Sequence, residues 1–169
     1  EITGHSAVYI ASGSLEITGG TLHGVGANGE YSGVTGGSTD APAEALTIEN
    51  VGGNSGYELI SSVVITGGTF ISDNAKAVGS YANTTLNPDA KPVVGFITGG
   101  TFNTNVDEYV LHLYFSCFEI ENGNGYIVER IAYDNFTIVD RDYEGKEFTN
   151  TREISVFGDL TYERYFDDT

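Results

Sequence analysis

One stretch, present three times, limits what this chain can fold into. It reads Leu15-Glu16-Ile17-Thr18-Gly19-Gly20-Thr21-Leu22, then Val63-Val64-Ile65-Thr66-Gly67-Gly68-Thr69-Phe70, then Gly95-Phe96-Ile97-Thr98-Gly99-Gly100-Thr101-Phe102. The isoleucines recur at intervals of 48 and 32 residues. A unit that recurs with variable insertions is the signature of a stacked coil. Each copy is a short apolar strand, a Gly-Gly corner and a Thr that restarts the chain in a new direction, because Gly takes positive φ without steric cost. A weaker repeat lies between the corners: Ala7-Val8-Tyr9-Ile10, Ala45-Leu46-Thr47-Ile48 and Ala77-Val78-Gly79-Ser80, the last two again 32 residues apart. Stacked at about 4.8 Å per rung, Ile17, Ile65 and Ile97 form an inward ladder and Thr18, Thr66 and Thr98 an outward one. The expected fold is all-β, a parallel β-helix or solenoid with a short capping helix and a C-terminal β-hairpin and strand segment.

Composition sets a boundary near Tyr114. Of the 23 glycines, 19 precede residue 115, whereas 11 of the 20 Phe and Tyr follow it. Residues 1–114 are therefore read as Gly-cornered rungs, and 115–169 as a β-rich segment. The final run, Tyr165-Phe166-Asp167-Asp168-Thr169, and the absence of an initiator Met suggest a piece of a longer or processed protein. Within the coil, Ile2-Thr3-Gly4 reads as a truncated corner, and residues 24–43 as a Gly-rich excursion loop; Val34-Thr35-Gly36-Gly37-Ser38 reads either as part of that loop or as a degenerate corner that makes part of it another rung. Asn50-Val51-Gly52-Gly53-Asn54 is a turn. Residues 72–92 read as a second excursion whose end, with Pro88 and Pro92, is excluded from a central strand. Asn105 with Glu108 makes a capping-box pattern for a helix near 105–113, placed to cover the open strand edges at the end of the coil. A hairpin, Phe115 to Glu121 and Tyr126 to Ile131, turns at Asn122-Gly123-Asn124-Gly125. Strands follow at Phe136–Val139, Glu153–Phe157 and Leu160–Tyr165.

The net charge of −17, from 24 acidic and 7 basic residues, repels nucleic acid and anionic membrane surfaces. No apolar run is long enough to span a bilayer. Cys117 is the only cysteine, so no intrachain disulfide forms, and its apolar surroundings predict an inert thiol.

The segment Ile97-Thr98-Gly99-Gly100-Thr101-Phe102-Asn103-Thr104-Asn105-Val106-Asp107-Glu108-Tyr109-Val110 resembles a unit common in large surface proteins of gut bacteria. There a GGTF corner, a polar turn and an EYV-type helix close a right-handed parallel β-helix of the pectin-lyase-like kind. Leu160 to Thr169 is similar to the opening of a β-module that follows such coils in Bacteroides-type proteins. The resemblance, spread over most of residues 1–130, implies right-handedness and a secreted or cell-surface role in adhesion or carbohydrate binding, with a glycan or a host or cell-surface protein as partner. No residue matches the catalytic motifs of the superfamily's polysaccharide-cleaving enzymes.

Candidate site residues are weighed against plainer readings. Tyr31, Tyr57 and Tyr81, in or beside the excursions, are the best candidates for stacking on a sugar ring, and they also suit a lid over the coil. Asp140, Asp142 and Glu144 place oxygens at alternate positions before Gly145, as a calcium loop does. Position twelve is Thr151 instead of a bidentate Glu, so a solvated hairpin loop is the expectation and no cofactor is assigned. Asn103, Asn105 and Asp107 form a second alternating set that helix capping explains. His5, His23 and His112 lack the neighbours of a nucleophilic triad. Paired carboxylates of the glycosidase type would come from Asp73, Asp89, Glu44 and Glu58, with only Lys76 and Lys91 as bases in the coil. The six corner threonines suit a flat hydroxyl array, though strand preference and corner hydrogen bonds account for them. The leading expectation is a non-catalytic surface module. A polysaccharide lyase or hydrolase fragment and a structural stalk are the alternatives.

Overall fold

The computed structural model describes residues 1–27, 31, 42–51, 60–131, 133–141 and 147–155, the last two ranges by backbone alone. They fall into two compact units, Glu1–Arg130 and Ile131–Thr169. The first unit is mostly β. Strands β1 (Ile2–Gly4), β4 (Thr21–Gly24), β7 (Thr69–Ser72) and β9 (Gly100–Phe102) lie side by side in parallel. A second parallel sheet holds β2 (Val8–Ile10), β5 (Leu46–Asn50) and β8 (Val78–Ala82), and a third holds β3 (Gly13–Ile17) and β6 (Ile60–Ile65). The chain visits the three sheets in rotation, and parallel bridges Ile65 to Ile97 and Ile97 to Val110 carry the third sheet onward.

Register follows the sequence repeat. Ile17 pairs with Ile65 and Ile65 with Ile97. In the second sheet Val8, Leu46 and Val78 align, as do Ile10, Ile48 and Ser80. In the first, Leu22, Phe70 and Phe102 align, and the two phenyl rings stack at 4.9 Å. These aligned apolar side chains are the core: Ile65, Ile97, Leu46, Ile48, Val78 and Phe70 are fully buried. Each contributes roughly 1.5–3 kcal/mol relative to exposure. Thr18 and Thr66 face solvent and Thr98 is half-buried, so the outward ladder is present too. Its hydroxyls and those of the next Thr serve the corners: Thr98 Oγ1 donates to the Ile65 carbonyl at 3.1 Å, and Thr69 and Thr101 hydroxyls are 3.1 Å apart.

The corners stack as tightly as the strands. Gly20, Gly68 and Gly100 have φ of +90°, +112° and +117°, a region that side chains resist. The preceding glycines are needed for a different reason. A Cβ at Gly67 would stand 2.7 Å from the Thr18 carbonyl oxygen of the turn before, and one at Gly99 would collide with that of Thr66. At Gly19, with no earlier corner beneath it, a Cβ meets nothing. The unequal intervals also resolve. Leu46 follows Gly24 by 22 positions and Val78 follows Ser72 by 6, so the 16 extra residues of the longer repeat all lie between β4 and β5.

Several expectations change. Ile2-Thr3-Gly4 aligns with Leu22-His23-Gly24, so it is the strand after a corner and not a truncated corner. The second excursion is shorter than residues 72–92, because β8 runs through it. The capping helix near 105–113 shrinks to a single 3-10 turn, Asp107–Tyr109. Its N-cap is Val106, not Asn105; Asn105 Oδ1 accepts from the Asp107 N–H at 2.8 Å from one residue earlier, and Glu108 turns to Lys76 at 3.0 Å. Val110 then leaves helical geometry (φ −73°, ψ 143°) to pair with Ile97, which buries it at the end of the ladder. The hairpin β10 (Phe115–Glu119) and β11 (Tyr126–Arg130) forms as expected, with Asn122 at φ 74°. It joins the first unit, not a separate segment, since β11 pairs antiparallel with β9. In the second unit β12 (Tyr133–Arg141) pairs antiparallel with β13 (Glu147–Ser155), covering the strand expected over Phe136–Val139 and the first three residues of that expected over Glu153–Phe157, whose last two lie outside the described residues. Residues 34–38, 52–54 and 160–165 lie outside the described residues. Among the described residues no helix is long and apolar enough to cross a membrane.

Stacking predicts an asymmetry between equivalent glycines. Gly99→Ala should destabilise the fold by about 1–3 kcal/mol, the usual cost of overpacking. Gly19→Ala should stay within about 0.5 kcal/mol of the parent. Chemical denaturation of the two variants measures the difference, and equal effects would contradict the stacked corners.

Candidate functional site

Strand β5 alternates. Leu46 and Ile48 enter the core, which turns Thr47 and Glu49 to the opposite, outer face of the sheet. Parallel register puts Tyr9 and Gly79 beside Thr47, and Tyr81 beside Glu49. An outer face is normally wet, yet Thr47 and Glu49 have no exposed surface and Glu44, just before the strand, is 1% exposed. The burial is organised around two tyrosines. The rings of Tyr31 and Tyr81 stack at 4.4 Å and 11°.

Each ring hydroxyl holds one acid. Tyr81 donates a short hydrogen bond to Glu44 Oε1, and Thr47 Oγ1 donates to Glu44 Oε2 at 2.9 Å. Ser6 Oγ lies 2.9 Å from the Thr47 hydroxyl and donates to the Val8 carbonyl. The Glu44 carboxyl occupies the space above Gly79, where any Cβ would strike it. Tyr31 donates to Glu49 Oε1 at 2.8 Å, and Asn83 Nδ2 donates to the same oxygen at 2.6 Å. Glu49 Oε2 and the Tyr9 hydroxyl are buried without a hydrogen-bond partner among the described residues.

These surroundings favour the protonated acids. Burial pushes Glu44 from its ordinary 4.5 up to about 7, against the downward pull of the Tyr81 and Thr47 hydrogen bonds and the Lys76 charge. Burial also raises Glu49, opposed by the Asn83 amide. Tyr81 is raised by burial and by its bond to Glu44, and Tyr31 by burial. Among the described residues no buried cation offsets the pair. Lys76 is itself matched with Glu108 at 3.0 Å, and both are more than half exposed.

Of the sequence candidates, Tyr31 and Tyr81 come together, joined by Glu44, which was grouped with other acids. Tyr57 and Glu58 lie outside the described residues. Asp73 sits 2.7 Å from His23. Asp140 is opposite Phe148 in the β12 and β13 pairing, whereas Asp142 and Glu144 lie outside the described residues. Asn103 brackets the Ser72 backbone, donating to its carbonyl at 2.7 Å and accepting from its N–H at 3.1 Å. Its oxygen therefore does not converge with those of Asn105 and Asp107. No three His, Cys, Asp or Glu side chains gather to hold a metal ion among the described residues. Cys117 is half-buried and its thiol is pushed up by burial. Glu49, Thr47 and Asn83 escaped the sequence reading. The signal was there: the 32-residue period that aligns Leu46 with Val78 also aligns Glu49 with Tyr81.

Comparison with protein-family models, with curated proteins and with solved structures gives no match.

The raised acid makes stability pH-dependent. Below about pH 4.5 Glu44 is protonated folded or unfolded. Between 4.5 and about 7 the folded chain retains a proton that the unfolded chain has released, so stability is lost as pH rises through that window and is flat above it. The stability of the parent relative to Glu44→Gln should therefore fall by roughly 2–3 kcal/mol between pH 4.5 and pH 7.5. Urea titrations across that range check it, and a pH-independent difference would show that folding does not raise the Glu44 pKa.

Proposed function

We propose that the first unit is a non-catalytic β-helical module of a secreted or cell-surface protein, and that it binds a glycan on the outer face of the β2, β5 and β8 sheet. Parallel sheets visited in rotation, with equivalent residues aligned turn upon turn, support the β-helix, and the likeness of the corner segment to gut-bacterial surface proteins supports its right hand and its location. One observation carries the binding reading: Tyr31, Tyr81, Glu44, Glu49, Asn83 and Thr47 converge on one outer face. Aromatic rings that pack on the C–H faces of sugars are the chemistry of saccharide recognition, and here the buried carboxyls hold the ring hydroxyls in place instead of meeting the ligand. A binding wall built on strands is also preorganised, which lowers the entropy cost of capture.

A hydrolase or lyase is the second reading, favoured by an acid pushed up to about 7 beside a second carboxyl. Burial weighs against it. Glu44 and Glu49 are covered by Tyr81 and Tyr31 hydroxyls and leave almost no surface for a polymeric substrate.

A glycan array run with the parent and with Tyr81→Ala, alongside a reducing-sugar assay, tests the proposal. The parent is expected to bind at least one saccharide, Tyr81→Ala to bind it about tenfold more weakly, as loss of aromatic contact and its anchored acid implies, and neither to release sugar. Sugar release would favour the enzyme, and no binding across neutral and acidic glycans would leave a structural stalk.

A further inference from the structure

We propose that the saccharide bound on the outer face of the β2, β5 and β8 sheet is uncharged: a neutral glycan, and neither a uronate or sulfated chain nor a free amino sugar. This deepens the binding reading and rests on it. It follows from where the ionic groups of the first unit stand.

An anionic sugar needs a cation at the ring that receives it. A carboxylate or sulfate is held by the fork of an arginine or the ammonium of a lysine, and without one its lost hydration is not offset. Glu1–Arg130 contains 14 Asp and Glu against three Lys and Arg, so its field repels anions before contact. The three bases are also poorly placed for the task. Arg130 belongs to β11 of the first sheet, opposite Phe115. Lys76 is the base whose charge reaches Glu44, and its Nζ is 3.0 Å from Glu108 Oε1. Glu108 in turn stands close enough to Tyr81 and Glu44 to disfavour negative charge on either, so an acidic group at Tyr81 would meet repulsion. Lys91 is the base without an ion pair among the described residues. Its main-chain carbonyl accepts from Asn50 Nδ2 at 2.8 Å, beside the end of β5, and its side chain is exposed. A single solvated lysine on a flexible stem contributes little to holding a carboxylate.

A cationic sugar finds no better partner. Glu44 already accepts from the Tyr81 and Thr47 hydroxyls, and Glu49 from the Tyr31 hydroxyl and the Asn83 amide. The second oxygen of Glu49 has no donor among the described residues, but Glu49 has no exposed surface to offer an ammonium group. Burial also favours the protonated form of both acids, so neither presents a counter-charge. Glu108, the exposed acid nearby, is matched with Lys76. What the face offers is the flat of a tyrosine ring without a net charge beside it, which suits the C–H face of a neutral sugar.

Matched oligosaccharides that differ only in charge test this: a uronate oligosaccharide and its methyl ester, and an amino-sugar oligosaccharide and its N-acetylated form, titrated by calorimetry into the parent and into Lys91→Ala. The neutral member of at least one pair is expected to bind at least about tenfold more tightly than its charged counterpart at about 0.15 M salt. Its affinity should change by less than about twofold in Lys91→Ala, or when salt is raised to about 0.5 M. A charged member that binds as tightly as its neutral form, or a neutral-form affinity that falls tenfold in Lys91→Ala, overturns the charge assignment while leaving saccharide binding itself standing. If neither pair binds, the comparison passes to the array of neutral and acidic glycans, where binding confined to acidic members overturns the assignment alone and an empty array removes it together with the binding reading.

Discussion

Strands of the first unit rest on their sequence counterparts in parallel register, and the structure depends on that contact. Ile65 lies between Ile17 and Ile97, Leu46 between Val8 and Val78, and Phe70 between Leu22 and Phe102. Parallel pairing in strict register satisfies the backbone groups of interior strands and buries the same apolar column on every turn, so hydrogen bonding and hydrophobic burial reinforce each other. The corner glycines follow from the same constraint. Backbones that approach within contact distance at Gly67 and Gly99 leave no volume for a methyl group.

Stacking leaves an exposed edge at each end, and the end nearest Val110 is closed by three different devices. In the first sheet β11 runs antiparallel along β9. In the third, Val110 pairs with Ile97. In the second, the Tyr109 hydroxyl accepts from the Ser80 N–H at 3.3 Å, and Ser80 Oγ accepts from the Val93 N–H at 2.8 Å. A full helix over 105–113 would have satisfied its own backbone and left these edges open, which is why the 3-10 turn stops where it does. The phenol of Tyr109 also stacks on Phe96 at 5.5 Å, tying the closure to the core.

What the sequence revealed divides along physical lines. Features set by periodicity were legible: the isoleucine ladder, the alignment of Ala45-Leu46-Thr47-Ile48 with Ala77-Val78-Gly79-Ser80, and the Asn-Gly hairpin after Phe115. Features set by competition between elements were not. Ile2-Thr3-Gly4 carries the letters of a corner but pairs with Leu22-His23-Gly24, and Val110 belongs to a helical pattern locally but to a strand column globally. The tyrosines were singled out as exposed candidates, and the structure unites Tyr31 with Tyr81. Their acidic partners were only partly visible, because Tyr31 lies outside the repeat and nothing in the local sequence around Glu49 distinguishes it from a surface acid. Extending the period from apolar to polar positions would have set Glu49 beside Tyr81.

The exact registry of the turns has a further consequence, for how such a chain changes length. Where the repeat is 32 residues, as between Thr69 and Thr101 or Phe70 and Phe102, core side chains find the same kind of neighbour one repeat away. The strand columns of the first unit are therefore quantised in steps of the repeat. Copying or excising one whole turn preserves every column of contacts, while a gain or loss of a single residue within a strand inverts the inward and outward faces from that point on. Variation in the wall must come in whole turns, and finer variation is confined to connections such as the one that delivers Tyr31.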